Sequence, residues 1–325
     1  MSVRVLNLVP NPNSSFFKHQ VRALERTGVE ETTLPVPGQR TQDDETTDSR
    51  SVTDYLRLHP AVFRRSFGEY DLVHANYGLT GPAALTQPQL PVVLSLWGSD
   101  LMGKYGHLSR LCARQADAVI VMSEKMADIL DTDCHVIPHG VDVERFRPTE
   151  RRAARDRVGW DPEGTHVLFP YPREREVKDY PRARRVVEAA AQRLGEQPTL
   201  HTLHNVPHER MPDYYNAADV LLLTSKREGS PNSVKEALAC NLPVVATAVG
   251  DVRERLDGVE PSFVCTSDEE LVDGLCRVVR RAERSNGRET IDSLSLSGMA
   301  ERIRAVYRDV LDEEPNATPP RELTG

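Results

Sequence analysis

The feature that most constrains this chain is an alternation, sustained from end to end, of apolar runs of strand length with segments whose apolar residues recur at helical spacing. Uninterrupted Val, Leu, Ile and Ala runs suit strands buried on both faces, and intervening helices supply the cover, so the pattern specifies α/β layers with parallel sheets. In the first half, strands are predicted at Val3–Val9, Thr33–Val36, Leu72–Ala75, Val92–Leu96, Ala118–Met122 and His135–Ile137. Helices are predicted over Phe16–Arg26, stopped by Gly28, and over Glu124–Leu130 with Ser123 as N-cap. Around Val143–Arg155 the text turns Arg- and Glu-rich with Pro148 in its middle, which marks a domain boundary. The alternation then restarts with strands at Val167–Phe169, Thr199–Leu203, Val220–Leu223 and Val244–Thr247. Helices fall near Ala183–Arg193, Met211–Ala217, Asn232–Cys240, Glu269–Glu283 and Met299–Leu311. A chain of 325 residues has room for two such cores.

Composition narrows the function. Net charge is −8, which argues against nucleic acid as a partner, because phosphate contacts need a basic face. No apolar run approaches the ~20 residues of a membrane-spanning helix. Met1–Val9 reads as a strand and not as a secretion signal, so a cytoplasmic location is expected. Cys112, Cys134, Cys240, Cys265 and Cys276 never fall at a metal or redox spacing and read as small buried hydrophobes. Gly38–Thr53 is polar, acidic and without apolar periodicity, and is expected to be a mobile loop; Glu313–Gly325, with three prolines, is expected to be disordered.

The chemistry concentrates in a strand–loop–helix–strand segment: Asp219-Val-Leu-Leu-Leu-Thr-Ser225, then Lys-Arg-Glu228-Gly-Ser-Pro-Asn-Ser-Val-Lys-Glu236, then Ala-Leu-Ala-Cys-Asn-Leu-Pro-Val-Val-Ala-Thr247. Ser230 is placed as N-cap and Pro231 as first helical residue, so the loop would present free amides at a helix start, a site suited to a diphosphate. At helical spacing Val234, Ala237 and Leu238 share one face, while Asn232 and Glu236 share the opposite one. One face packs and the other points into a cleft.

Glu228, seven residues, then Glu236, together with Pro231–Asn232, Glu236-Ala-Leu-Ala-Cys and Leu242-Pro-Val-Val, resembles the retaining glycosyltransferases of family 4, and Cys240-Asn-Leu-Pro with Val249-Gly-Asp-Val resembles their teichuronic-acid-biosynthesis type. The resemblance implies a GT-B fold: two Rossmann-like domains with parallel sheets facing a central cleft. It divides the chain into an acceptor domain 1–147, a donor domain 148–292 and a helix 293–312 packing back on the first domain. It implies that Glu228 sits beside the donor sugar and its phosphates, that Glu236 binds the ribose hydroxyls, and that the donor-binding loop Gly229–Ser233 holds phosphate and sugar oxygens through the amides of Gly229, Ser230, Asn232 and Ser233, with Pro231 shaping it. A carboxylate beside phosphate needs balancing cations. Family members place an Arg and a Lys after the first strand of this domain, in place of a metal. Lys178 matches the lysine, whereas both Arg173 and Arg175 fit the arginine, with Arg175 slightly favoured.

In the first half, Leu94-Ser-Leu-Trp97-Gly98-Ser99-Asp100 resembles a family turn whose histidine, here Trp97, contributes to the donor-sugar site. Tryptophan cannot relay a proton, so Gly98, Ser99 and Asp100 are assigned to shaping the pocket. His74, in a loop resembling the acceptor side, reads equally as a contact or as a satisfied structural histidine. Val136-Ile-Pro-His139-Gly-Val-Asp142 resembles the hinge, and Asp131-Thr-Asp133 is read as a coincidental likeness to a metal triplet. Base recognition by backbone is assigned to His204–Pro207. Tyr55–Phe67 reads as a helix that mixes apolar residues with Arg57, Arg64 and Arg65, so it either touches anionic lipid or packs on its own sheet.

The expected activity is transfer of a sugar from a nucleoside-diphosphate sugar, a UDP-sugar by preference, to a glycan or lipid-linked acceptor in polysaccharide or glycoconjugate synthesis, with no cofactor and no metal. The alternatives are a nucleotide-sugar epimerase of the same fold and a non-catalytic partner of an active transferase.

Overall fold

The computed structural model describes residues 2–38 and 51–312. Most of the loop expected over Gly38–Thr53 and the tail from Glu313 lie outside the described residues. The first domain runs β1 (Val3–Val9), α1 (Ser15–Arg26), β2 (Val29–Pro35), α2 (Val52–Leu56), α3 (His59–Arg65), β3 (Leu72–Asn76), α4 (Gly81–Leu85), β4 (Val92–Ser95), α5 (Ser99–Met102), α6 (Gly106–Ala113), β5 (Ala118–Val121), α7 (Glu124–Leu130) and β6 (His135–Val136). The second runs α8 (Arg151–Val158), β7 (His166–Phe169), α9 (Tyr180–Leu194), β8 (Thr199–Thr202), α10 (Met211–Ala217), β9 (Val220–Leu223), α11 (Asn232–Ala239), β10 (Val244–Thr247), α12 (Val252–Arg255), β11 (Phe263–Cys265) and α13 (Asp268–Arg281), and α14 (Leu296–Asp312) follows.

Both sheets are parallel throughout, ordered β2-β1-β3-β4-β5-β6 and β11-β10-β9-β7-β8. In the first sheet the step from β1 to β2 runs opposite to all later steps. Right-handed crossovers therefore put α1 on one face and α2 through α7 on the other. The face with α1 is completed by α14, whose Met299, Ala300, Ile303, Val306 and Tyr307 join the first core. The second sheet is covered by α9 and α13 on one side and by α8, α10, α11 and α12 on the other.

The chain passes between domains twice, and the two passages run together. Val141 N–H donates to the Leu294 carbonyl at 2.8 Å, and Leu296 N–H returns a bond to the Val141 carbonyl at 3.1 Å. A Cβ at Gly140 would stand 2.8 Å from the Leu296 Cα, so only glycine admits the return strand here.

Three departures from expectation have physical causes. β2 begins at Val29, four residues before Thr33, because its Glu-Glu-Thr-Thr stretch forms an edge strand in register with β1 (Val3 opposite Val29) and needs no apolar pattern on its outer side. α8 arises in the polar linker; its anchor is Arg155, whose guanidinium grips the Asp219 carboxylate at 2.8 and 2.9 Å, and such an anchor leaves no apolar stripe to read. The single helix expected over Tyr55–Phe67 is two helices, with Pro60 in the first turn of α3 ending continuity with α2.

Candidate functional site

The loops that follow β1, β4 and β6 of one sheet and β7 and β9 of the other enclose a cavity of about 440 Å³. Open parallel sheets place their ligands at these carboxyl ends, where helix starts and strand-ending loops converge. Its second-domain wall is built from two loops clipped together. The Lys226 N–H donates to the Val177 carbonyl at 2.9 Å, and the Thr224 hydroxyl donates to the Lys178 carbonyl at 2.9 Å and to the Asp179 carbonyl at 3.0 Å. Asp179, in the left-handed region at φ 56°, closes the first loop and caps α9 through the Arg182 N–H.

That clip brings Lys178 against Glu228: Nζ donates to Oε1 at 2.5 Å, with the side chains 7% and 15% exposed. Lys178 also stands 3.8 Å over the Tyr171 ring, and the Tyr171 hydroxyl meets the Ser233 hydroxyl at 2.5 Å. The charge of Glu228 is thus balanced within its own wall. Arg175 and Arg227 line the same cavity, and Arg175 lies 5.8 Å from the Tyr171 ring. Arg173 departs from the assignment: it turns away, its Nε donating to the Thr202 hydroxyl at 3.3 Å and its guanidinium stacking 5.1 Å from the Tyr180 ring.

The helix start also needs correction. α11 begins at Asn232 with Pro231 as its N-cap, and the Ser230 hydroxyl donates instead to Asp251 at 2.8 Å, a carboxylate that Arg255 also binds at 2.9 Å. Ser230 therefore ties the Glu228 loop to the loop after β10 and does not cap. Among the described residues no side chain caps α11, and of its first-turn amides that of Val234 donates to the Pro231 carbonyl at 3.1 Å. Val234, Ala237 and Leu238 are fully buried on its packed face.

Glu236 lies outside the main cavity, in a narrow crevice shared with Asn232, Lys235, Gly140 and Asp142. It accepts from the Tyr215 hydroxyl at 2.7 Å, and its other oxygen is 2.8 Å from His208 Nε2. Asn232 belongs to both cavities, so they adjoin at the start of α11. Lys235 is buried and donates to the His139 carbonyl at 2.7 Å, fastening α11 to the hinge; burial pulls its pKa down to about 8. The loop His204–Pro207 leads directly into His208.

The first domain contributes an aromatic wall. Phe16 stacks on His139 at 4.5 Å and meets Trp97 edge-on at 4.7 Å. Burial holds His139 down to about 3, with the Lys235 charge adding to the effect, so the ring is uncharged at neutral pH and keeps a single N–H. Among the described residues, Trp97 Nε1, His139 Nε2 and Asn232 Oδ1 are buried polar atoms with no hydrogen-bond partner, and all three belong to residues lining the cavity. Each such orphan costs about 1–3 kcal/mol unless a ligand or water meets it.

Asp100 does not reach the cavity. It is 2% exposed and accepts from the N–H groups of Trp97, Gly98 and Gly78, locking the turn. Ser99 reaches the lining. Gly98, at φ 118°, and Gly229 meet backbone to backbone across the cleft: a Cβ on Gly98 would stand 3.4 Å from the Gly229 N and Cα, and one on Gly250 would stand 2.4 Å from the Gly229 carbonyl oxygen. His74 is fully buried between the Tyr307 hydroxyl at 2.6 Å and the Ser95 hydroxyl at 2.7 Å, so it is a structural histidine that helps hold α14, not an acceptor contact. Asp131 takes the left-handed C-cap of α7 and does not line the cavity.

Sequence reasoning missed Tyr171, Arg227, His208 and Tyr215, and left the cavity-facing rings of Phe16 and His139 unassigned. Arg227 adjoins Glu228 and could have been found there. Tyr215 and His208 lie 21 and 28 residues from Glu236, with no local signal.

Residues 3–145 match the family model described as Glycosyltransferase Family 4, and residues 177–281 match that described as Glycosyl transferases group 1. The Bacillus subtilis protein TuaC, assigned as a teichuronic acid biosynthesis glycosyltransferase, is 30% identical over 211 residues, which cover 56% of this chain and 54% of TuaC. D-inositol 3-phosphate glycosyltransferase 1 of Catenulispora acidiphila is 26% identical over 330 residues, covering 82% and 78%. The chain spans little more than half the length of the first of these relatives. Sucrose-phosphate synthase from Thermosynechococcus elongatus superposes with a TM-score of 0.72 at 19% identity, over 94% of this chain and 99% of that one. Anabaena HepE in complex with UDP and glucose superposes at 0.70 with 15% identity, over 94% and 100%. At these identities the solved structures share the fold.

Proposed function

This chain belongs to the family 4 glycosyltransferases of GT-B fold, and from that premise we propose that it transfers a glycosyl unit from a nucleoside-diphosphate sugar to a hydroxyl acceptor with retention of configuration. The observation that carries the reading is the convergence of Lys178, Arg175, Arg227 and the uncapped start of α11 on one cavity. Three cations and a helix start suit a diphosphate leaving group, and they do so in place of a metal. Glu236, already holding a hydroxyl donor in Tyr215, is fitted to take ribose hydroxyls in the adjoining crevice.

In the reaction the bond from the anomeric carbon to the phosphate oxygen breaks, and the diphosphate leaves with the electron pair. The acceptor oxygen bonds to the same face of the sugar, and its proton passes to the departing phosphate. Among the described residues lining the cavity, Glu228 is the one carboxylate, and Lys178 neutralises it. A front-side displacement fits that lining better than a covalent glycosyl-enzyme, which needs a free carboxylate nucleophile. Uracil is the base favoured for the donor, and a glycan or lipid-linked molecule of polysaccharide or glycoconjugate synthesis is the favoured acceptor. Nucleotide sugars are cytoplasmic metabolites, so the chain would work there or at the inner face of a membrane.

The test is incubation of the protein with UDP-, GDP- and ADP-sugars, with and without acceptors, following nucleoside diphosphate release and the anomeric proton by NMR. Acceptor-dependent release with a retained anomer is expected. Conversion of the sugar without acceptor would mark an epimerase, and failure to bind any nucleotide at millimolar concentration would mark a non-catalytic partner.

A further inference from the structure

Helices α3, α4 and α6 lie side by side on the face of the first sheet opposite α1 and α14. The Thr86 hydroxyl just after α4 is 3.1 Å from His59 Nδ1 on α3, and α4 backs so closely on α6 that a Cβ on Gly81 would stand 2.9 Å from that of Cys112. This face carries five of the six large apolar side chains most exposed among the described residues: Leu56, Phe63 and Phe67 from α2–α3, and Tyr105 and Leu111 from α6 and its approach. Phe63 and Phe67 are 51% and 59% exposed, and their rings meet at 5.2 Å, so they form a pair turned to solvent. The inward side of the same helix is satisfied without them, since Leu58 and Val62 are fully buried.

Basic residues interleave with these side chains. Arg57, Arg64 and Arg65 flank the first group, and Lys104, Arg110 and Arg114 flank the second. The nearest acidic residues stand at the edges of the two segments: Asp54 pairs with Arg57 at 3.4 Å, and Glu30, Glu31 and Glu69 line a pocket beside Arg64 and Arg65, while none occurs from Leu101 to Ala116, although the whole chain carries −8. Two segments far apart in sequence are thus brought by the topology into one apolar and cationic face. A second copy of the chain is a poor occupant, because a two-fold contact sets identical patches together and would confront arginine with arginine. An anionic bilayer meets both halves of the chemistry: apolar rings enter the headgroup boundary while guanidinium groups pair with lipid phosphates.

We propose that this face docks the chain on an anionic lipid surface, with Leu56, Phe63, Phe67 and Leu111 entering the interface and the six basic residues meeting the headgroups. α5 lines the cavity through Ser99 and Met102 and runs straight into Lys104 and Tyr105. Docking therefore puts one lip of the cavity at the lipid surface. Taken with the transferase reading proposed above, on which this clause rests, the acceptor is an amphiphile resident in that bilayer.

The experiment is co-sedimentation of the full chain with vesicles of phosphatidylcholine alone and of phosphatidylcholine with phosphatidylglycerol. Binding to the anionic vesicles alone, lost on raising salt, is expected. Each basic residue near such a surface contributes roughly fivefold to partitioning, so Arg64→Gln with Arg65→Gln should lower it by about 25-fold. Phe63→Ser with Phe67→Ser, and Leu111→Ser separately, should lower it as well. All of these sites are on the surface, and an unchanged thermal melt verifies folding. Equal binding to both vesicle types, binding to neither, or variants that sediment like the parent would overturn the docking face. So would a parent that is dimeric by light scattering and turns monomeric in the Phe63/Phe67 variant. Vesicle binding needs no donor, so its failure leaves the transferase reading standing, and its success with no nucleotide binding leaves the docking face standing alone.

Discussion

Replacing Lys178 with Met and Glu228 with Gln, singly and together, probes the centre of the cavity, because the two substitutions should act in opposite senses on one ligand. The pair meets at 2.5 Å, with side chains 7% and 15% exposed, so neither charge is well hydrated when alone. Removing one partner of a buried pair leaves an uncompensated charge and costs about 3 kcal/mol of folding stability. The double substitution removes both charges and should cost less than the sum of the two, with a coupling of about 1–3 kcal/mol. Binding of a nucleoside diphosphate should separate them. Lys178→Met removes a charged donor, worth about 1.5–3 kcal/mol, or roughly 10- to 150-fold in Kd. Glu228→Gln frees Lys178 for the phosphates and removes a repelling carboxylate, so the diphosphate should bind at least as tightly while turnover of the sugar nucleotide falls. Calorimetric titration with UDP and GDP, beside urea unfolding of each variant, gives both readouts. If Lys178→Met binds diphosphate like the parent while Glu228→Gln loses it, the lysine does not face the phosphates and the placement of the leaving group is wrong.

Three further outcomes follow from the geometry. Arg175→Ala should weaken diphosphate binding by roughly tenfold, whereas Arg173→Ala should leave it within about twofold, since Arg173 is spent on Thr202 and Tyr180; equal effects in the same titration would place both on the ligand. Gly250→Ala would set a Cβ 2.4 Å from the Gly229 carbonyl oxygen at a backbone φ of 54°; a loss of about 2 kcal/mol or more in urea unfolding, with weaker donor binding, is expected, and a neutral result would refute the close approach. Glu31 supplies a pH dependence: burial raises its pKa from 4.5 to about 8, so its contribution is full below pH 4.5 and falls as pH rises through 8. Glu31→Gln should therefore match the parent near pH 4 and exceed it by about 1–2 kcal/mol above pH 8, and a pH-independent difference between the two melting curves would contradict that.

Layer order and fold class were legible because the inner strands of a covered parallel sheet are apolar on both faces, and runs such as Val220–Leu223 and Val244–Thr247 advertise it with bounds that match the structure. What escaped was held by other means. α8 depends on Arg155 gripping Asp219, 64 residues away, and β2 depends on pairing along β1, so neither needs an apolar rhythm of its own. Pro60 was visible, yet the apolar residues on either side of it read as one stripe; only packing distinguishes the buried Leu58 and Val62 from the exposed Leu56 and Phe63.

The site was legible where one loop carries both its geometry and its chemistry, and illegible where chemistry is shared across the cleft. The loop that carries Glu228, Gly229 and Asn232 could be placed because the strand end before it and the helix after it were both visible as apolar patterns. The partners of these residues obey no spacing. Lys178 finds Glu228 through hydrogen bonds from Thr224 and Lys226, and Gly229 fits against the first domain because a Cβ there would stand 3.0 Å from Met126 Sδ and 3.1 Å from the Trp97 carbonyl oxygen. The same geometry gives Trp97 a role that its departure from the family histidine obscured. Its backbone N–H is fixed by Asp100, its ring packs edge-on against Phe16, and its indole N–H is left without a partner in the wall of the cavity. Such a donor offers a hydrogen bond to a ligand and has no basic site with which to take up a proton. The first domain therefore contributes shape, an aromatic surface and a donor to the proposed transfer, while the charges that would stabilise the leaving group come from the second.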